Sequence, residues 1–336
     1  MHRAWWLPVI PLLLISALVF EANGPTPTSI VSLTLPALFI SLALKKRAMT
    51  FAVVLLGASF VAARVSTAPA SAMDVCVEGE CSRNAQWWQR VIDEREATRA
   101  GLYVSGHLGA MRGVEFTRFD QLIDAQWKSA PKEWRGAANP LLMHSTPQRV
   151  ESLVVHGVGA KRPAIIFLHG FGGLLSLYVR ALAEGTRGEF EIIAPALDLT
   201  GAWWTERGQA VIAHTLDTLP PEVDRERVFL IGLSNGGIGA STVLLHPRLA
   251  KRFAGVVLLS GIGELQGLEA PPPTRVLLVS GTDDPRFSGD WLEDQHQQLV
   301  ALGADITWKT YRADHFLLLT HTQLWTRAFV EWSRES

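Results

Sequence analysis

The chain is 336 residues long, enough for about two domains at roughly 150 residues each. Hydrophobic residues make up 48% and charged residues 19%, with a mean hydropathy of +0.17. That composition is too apolar for a disordered chain and more apolar than an ordinary soluble domain. A formal charge of −1 excludes the global basic field with which nucleic-acid-binding proteins gather phosphate.

The apolar excess sits at the start of the chain. Residues 4–20 carry no charge, the uncharged run resumes after Glu21 from 22 to 44, and a third covers 48–63. Each is near the lower end of the roughly 17 to 25 residues that span a bilayer, so residues 1–72 are expected to form three transmembrane helices. Arg3 precedes the first run and Lys45, Lys46 and Arg47 follow the second. The positive-inside bias puts both in the cytoplasm, and three crossings place everything after about residue 65 outside it, in a periplasmic or extracellular space. A second reading takes residues 45–72 as a signal-like segment, with a basic start, an apolar stretch and Ala70-Ser71-Ala72 as a cleavage pattern, Met49 then being the start. Both readings export the rest of the chain and differ only in whether residues 1–72 are retained. Residues 1–72 hold five basic residues against Glu21, a net of +4, which leaves −5 for the remainder.

Cys76 and Cys81 are the only cysteines. A C-x4-C pair with no His cluster nearby does not complete a zinc site, and a structural disulfide in an oxidising compartment is expected. Residues 73–148 read as a helical linker or cover segment in which Trp87, Trp88, Trp127 and Trp134 either face a membrane or substrate, or pack on the domain that begins near residue 149. No internal repeat or low-complexity tract is present.

From about residue 149 apolar runs alternate with helix-length segments. Residues 164–170, 190–198, 227–234, 253–261, 275–281 and 306–313 read as strands, with helices over 173–186, 204–218, 235–249, 289–303 and 320–334. Continuous Val/Ile/Leu runs are the pattern of buried parallel strands, so a mostly parallel sheet with helices on both faces is expected. Residues 150–158 are expected to start it as a hairpin partner. Ligands of such sheets bind at the carboxyl ends of the strands.

At one of those ends stands Gly232-Leu233-Ser234-Asn235-Gly236, a G-x-S-x-G between strand and helix. The chemistry needs Ser234 on a sharp turn with its hydroxyl exposed, and glycines two residues to either side remove side chains that would collide there. A glycine-rich dinucleotide loop is the competing reading, and the Tyr-x-x-x-Lys of short-chain dehydrogenases tests it. Four residues after Tyr103, Tyr178 and Tyr311 stand His107, Leu182 and His315, none of them Lys. Asp283 and Asp284 follow the strand ending at Gly281, and His315 follows the strand ending at Ala313, while His321 falls inside the last helix segment.

The order Ser, Asp, His, each after a strand, resembles the α/β-hydrolase superfamily, and the resemblance covers about residues 149–336. It implies an α/β-hydrolase fold in which Ser234 attacks an acyl carbon, His315 carries the proton and an aspartate orients the imidazole. The G-x-x-D spacing usual in that superfamily selects Asp284, with Asp283 as the alternative acid. His169-Gly170-Phe171-Gly172-Gly173 resembles the H-G-x-G-G oxyanion loop of esterases and lipases, with the N–H groups of Phe171 and Asn235 as the donors and His169 organising the loop. The mechanism implies no cofactor and no metal.

Only 13 residues, 262–274, separate one strand from the next where lids often insert, so a large lid there is excluded. The pocket is then either open or covered by residues 82–148 and the Trp203-Trp204 pair, whose alternative reading is helix packing. The S-N-G-G elbow is similar to those of the dienelactone-hydrolase, carboxylesterase and polyhydroxyalkanoate-depolymerase branches, which together imply a carboxylic ester hydrolase acting on a small-molecule or lipid ester. A serine peptidase of the prolyl-oligopeptidase type and a catalytically inactive hydrolase-fold binding protein are the competing readings. The sequence carries no signal for an oligomeric state.

Overall fold

The computed structural model describes residues 9–23, 26–44, 47–67, 71–82, 92–107, 113–134 and 139–335. Residues 1–8, Lys45, Lys46, Ala70, Trp87 and Trp88, which figure in the expectations above, lie outside them. The chain divides into two compact units, residues 1–70 with 85–139, and residues 71–84 with 140–336.

The first unit is helical. Helices α1 (Val9–Asn23), α2 (Pro27–Ala43) and α3 (Arg47–Thr67) pack in sequence order, and α4 (Glu94–His107) packs on α1 and on α5 (Gly113–Ser129). Phe119, Ile123 and Trp127, four residues apart on α5, are buried with Leu102 of α4. The expectation of three transmembrane helices is not upheld: among the described residues no helix is long and apolar enough to cross a membrane. At about 1.5 Å per residue, the 15 residues of α1 and the 17 of α2 fall short of a hydrocarbon core about 30 Å thick. The 21 residues of α3 begin at Arg47 and run through Arg64 to polar Ser66 and Thr67, which shortens their apolar part.

The second unit is built on one nine-stranded sheet. In chain order the strands are β1 (Asp74–Val77), β2 (Glu80–Ser82), β3 (Glu151–Val155), β4 (Arg162–Leu168), β5 (Glu191–Pro195), β6 (Val223–Leu233), β7 (Gly255–Leu259), β8 (Arg275–Gly281) and β9 (Ile306–Tyr311), and the spatial order is β2-β1-β3-β5-β4-β6-β7-β8-β9. From β5 to β9 all neighbours are parallel. The mostly parallel sheet read from the apolar runs is therefore present, with each strand within a few residues of its expected span. β3 is not the hairpin partner expected of it: it pairs antiparallel with β5 and with β1. Residues 74–82, read as part of a helical linker, form an antiparallel hairpin at the sheet edge. Its two-residue turn, Glu78 and Gly79, takes positive φ at both positions, as the twist of a tight hairpin demands. Cys76 and Cys81 face each other across it and are disulfide-bonded.

Alternation along the strands divides the core between two faces. Ala164, Ile166, Leu168, Leu230, Val256 and Leu278 meet Trp203 and residues of α7 (Glu206–Asp217), α8 (Asn235–Leu244) and α10 (Gly289–Ala301). On the other face an aromatic cluster of Phe190, Phe229, Phe329 and Trp332 joins the sheet to α12 (Thr322–Arg334), beside α6 (Ser176–Gly185). Gly255 makes room for the Trp332 ring, since a β-carbon there would fall 2.3 Å from it.

One buried charge ties the edge to the centre. The fully buried Glu191 of β5 is ion-paired with Arg162, whose Nε lies 2.9 Å away, and accepts the Gly157 N–H at 3.0 Å and His156 Nδ1 at 2.7 Å, while His156 Nε2 reaches Asp74 of β1 at 3.0 Å. Burial alone would lower the His156 pKa, but the two carboxylates together hold it above the ordinary histidine value. A raised native pKa contributes stability that is fully present below the unfolded value of about 6.5 and is lost as pH rises through the native one. Denaturant unfolding of wild type and His156→Gln at pH 6 and pH 9 should therefore show the wild type's advantage larger at pH 6. An equal advantage at the two pH values counts against the clamp.

Candidate active site

The carboxyl ends of β4, β6, β8 and β9 converge on one serine. Ser234 sits between β6 and α8 at φ +53 and ψ −114, a conformation that a β-carbon disfavours. Two close approaches show why the neighbouring positions are glycine. A β-carbon on Gly232 would lie 2.2 Å from Gly236 O, and one on Gly236 would lie 2.1 Å from Leu168 O at the end of β4. The turn is held from the other side by the Ser234 N–H donating to Leu259 O of β7 at 2.9 Å.

Ser234 Oγ donates to His315 Nε2 at 2.9 Å, and His315 Nδ1 donates to Asp284 Oδ2 at 2.8 Å. Asp284 is buried, and its other oxygen, Oδ1, accepts the N–H groups of Arg286 at 2.8 Å and Phe287 at 3.3 Å. The carboxylate is thus fixed by the turn that carries it, with one oxygen left for the imidazole. Asp283 is exposed and its carboxylate takes the Thr282 hydroxyl at 3.2 Å, so the structure brings Asp284 and not Asp283 to His315. His321 stands at the N-terminal boundary of α12 with Nδ1 2.9 Å from Thr320 Oγ1, and has no part in the relay. The His315 ring is stacked by Phe287 at 6.0 Å between centroids and met edge-on by Phe316 at 6.0 Å.

The 169–173 loop lies beside the serine. A β-carbon on Gly170 would stand 3.0 Å from Ser234 Cβ and 3.6 Å from Oγ, and Gly172 and Gly173 both take positive φ. Phe171 is partly exposed, and Asn235, whose N–H opens α8, follows the serine directly. His169 is fully buried. Leu197 N–H donates to its Nε2 at 3.2 Å, so Nδ1 carries the ring hydrogen and donates to Gly170 O at 2.9 Å. Burial drives its pKa down to about 4, against a smaller opposing pull from Gly170 and Asp198. His169 is therefore neutral and committed to the loop.

Trp203 and Trp204 part company. Trp203 is fully buried, donating Nε1 to His169 O at 2.9 Å, whereas Trp204 is partly exposed. Sequence reasoning missed Phe287 and also Asp198, whose Asp-x-Thr-Gly stretch after β5 is an Asx-turn signal that went unread. Among the described residues no three His, Cys, Asp or Glu side chains are grouped to hold a metal ion.

No protein-family model and no curated protein matches this sequence. Among solved structures, the chain is similar to a Bacillus cereus carboxylesterase at 22% identity, over 54% of this chain and 94% of that one, with a TM-score of 0.44. A candidate dienelactone hydrolase from Klebsiella pneumoniae matches at 16% identity, over 56% and 94%, with a TM-score of 0.48. An acylaminoacyl peptidase from Pyrococcus horikoshii matches at 18% identity over 55% of this chain and 39% of that one, with a TM-score of 0.42. The parallel sheet, the strand–serine–helix elbow and the placement of acid and histidine after β8 and β9 are together the arrangement of an α/β-hydrolase fold.

Proposed function

We propose that the chain is a serine hydrolase that cleaves carboxylic esters through an acyl-enzyme on Ser234. The observation that carries this reading is the unbroken relay from Ser234 Oγ through His315 to a fixed Asp284, with Gly170 against the same serine. In the first half-reaction Ser234 Oγ bonds to the acyl carbon as its proton passes to His315 Nε2, and Asp284 steadies the imidazolium. The carbonyl oxygen, now carrying the charge, is met by the N–H groups of Phe171 and Asn235. His315 then gives its proton to the departing alkoxide as the C–O bond breaks. Water, deprotonated by the same nitrogen, then bonds to the acyl carbon; the bond to Ser234 Oγ breaks, His315 returns the proton to that oxygen, and the acid leaves. The complete relay also speaks against an inactive binding protein.

The reading extends to place. Between Ile10 and Leu56, fifteen large apolar side chains are exposed, against six in the rest of the described residues. An apolar surface of that extent favours contact with lipid, so the α1–α3 segment is read as the chain's membrane attachment. The Cys76–Cys81 disulfide supports a catalytic unit that works in an oxidising, extracytoplasmic space.

Three measurements test these readings. A fluorophosphonate should label the wild type and leave Ser234→Ala unlabelled; labelling that persists would remove Ser234 from the reaction. Turnover of p-nitrophenyl esters should fall about 10³- to 10⁴-fold in Asp284→Asn and by less than about tenfold in Asp283→Asn, and amide turnover exceeding ester turnover in the wild type would favour a peptidase. In detergent phase separation the full chain should enter the detergent-rich phase. Its recovery in the aqueous phase would contradict lipid attachment.

A further inference from the structure

The loop after β5 is fastened to both segments that carry the oxyanion donors. Leu197 N–H donates to His169 Nε2 at 3.2 Å, Gly172 N–H to Leu199 O at 2.7 Å, and Trp203 Nε1 to His169 O at 2.9 Å. Asn235 Nδ2 donates to Thr200 O at 2.7 Å. Between these contacts Gly201, at φ +60, lies against the backbone of the oxyanion loop, where a β-carbon would fall 2.8 Å from Gly170 O and 2.9 Å from His169 O. The residues on either side of Phe171, and Asn235 itself, are thus held by one seven-residue stretch, 197–203.

Asp198 gives that stretch its shape. Its Oδ1 accepts Thr200 N–H at 2.8 Å, Thr200 Oγ1 at 2.6 Å and Gly201 N–H at 3.0 Å. Such an Asx turn fixes Thr200 O and the Gly201 backbone at the positions the other two segments need. Burial pushes the Asp198 pKa up, but its bonds to Thr200 and Gly201 and the charge of Arg207 outweigh this and hold the carboxyl below the ordinary value. It therefore stays an ionised acceptor at neutral pH.

We propose that Asp198 is a positioning residue of this hydrolytic site: by folding the 197–203 loop it sets the N–H groups of Phe171 and Asn235 at the spacing a developing oxyanion requires. The inference rests on the serine-hydrolase reading above. Donors serve only within about 2.7 to 3.1 Å of the oxyanion, and complete loss of one typically costs about 10²- to 10³-fold in kcat. A loosened pair of donors should cost less than that while leaving ground-state binding nearly untouched.

The test compares wild type, Asp198→Ala, Asp198→Asn and Asn235→Asp in hydrolysis of p-nitrophenyl butyrate and in inhibition by a trifluoromethyl ketone, whose hemiketal oxygen occupies the oxyanion position. Asp198→Ala should lower kcat about tenfold to a hundredfold with KM within about threefold, and should weaken the ketone by a similar factor. Asp198→Asn keeps the Oδ1 acceptor and should retain most of the activity. Asn235→Asp cannot donate to Thr200 O and should show the same loss in kcat and ketone affinity. At a half-buried side chain, it carries the test should Asp198→Ala fail to fold. The proposal is overturned by Asp198→Ala within twofold of wild type, by a loss confined to KM, or by Asp198→Asn falling as far as Asp198→Ala. A wild type inert to both fluorophosphonate and esters is a distinct result, which removes the hydrolase reading and this inference with it.

Discussion

A serine held at φ +53 is the constraint around which the second unit is organised. Such a backbone costs about 1–3 kcal/mol and persists only where its surroundings over-determine it. Here the determination comes from bare backbone. Gly232 and Gly236 approach within distances no side chain tolerates, and the strand on each side of β6 takes part, β4 through Leu168 O and β7 through Leu259 O. The sharp turn leaves the Ser234 hydroxyl free to meet His315 Nε2.

The rest of the relay depends on running β8 and β9 in parallel register, with Gly281 opposite Tyr311. Two chains that end together must turn away together. Their turns carry Asp284 and His315 to one edge, where the Asp283 N–H donates to Ala313 O at 3.0 Å. Hydrogen bonds then remove the remaining freedom, Asp284 Oδ1 being occupied by two backbone N–H groups so that only Oδ2 faces the imidazole. Aromatic packing by Phe287 and Phe316 restrains the imidazole itself.

The parts of this arrangement that are local were legible in the sequence. Buried parallel strands must be apolar on both faces, so β4 to β8 announce themselves as continuous runs. The serine turn needs glycines at fixed offsets, whereas Asp284 is favoured over Asp283 only through the G-x-x-D spacing of the superfamily the chain resembles. What could not be read is what depends on partners distant along the chain. The exposed, charged β2 has no burial pattern of its own and becomes a strand only by pairing with β1. The partners of β3 lie 37 to 43 residues on, in β5, past an intervening strand. Helix α1 continues through Glu21 to Asn23, because the backbone ladder does not stop where the apolar run does. Asp198 was hidden for another reason: its turn is ordinary loop chemistry until Thr200 O and Gly201 are seen against the oxyanion loop.

The edge hairpin has a bearing on how the second unit is delimited. Residues 71–84 belong to it although residues 85–139, which come next in the chain, do not. A fragment begun near residue 149 would lack β1 and leave the ladder groups of β3 unpaired beside the apolar side chains of Leu153 and Val154. An open, apolar strand of that kind invites pairing with another chain. It would also leave His156 without Asp74 and Val150 without Glu78, whose side chain and backbone both bond to it. The sheet edge is completed by a segment made before residues 85–139, so the unit that holds Ser234, Asp284 and His315 is discontinuous in sequence.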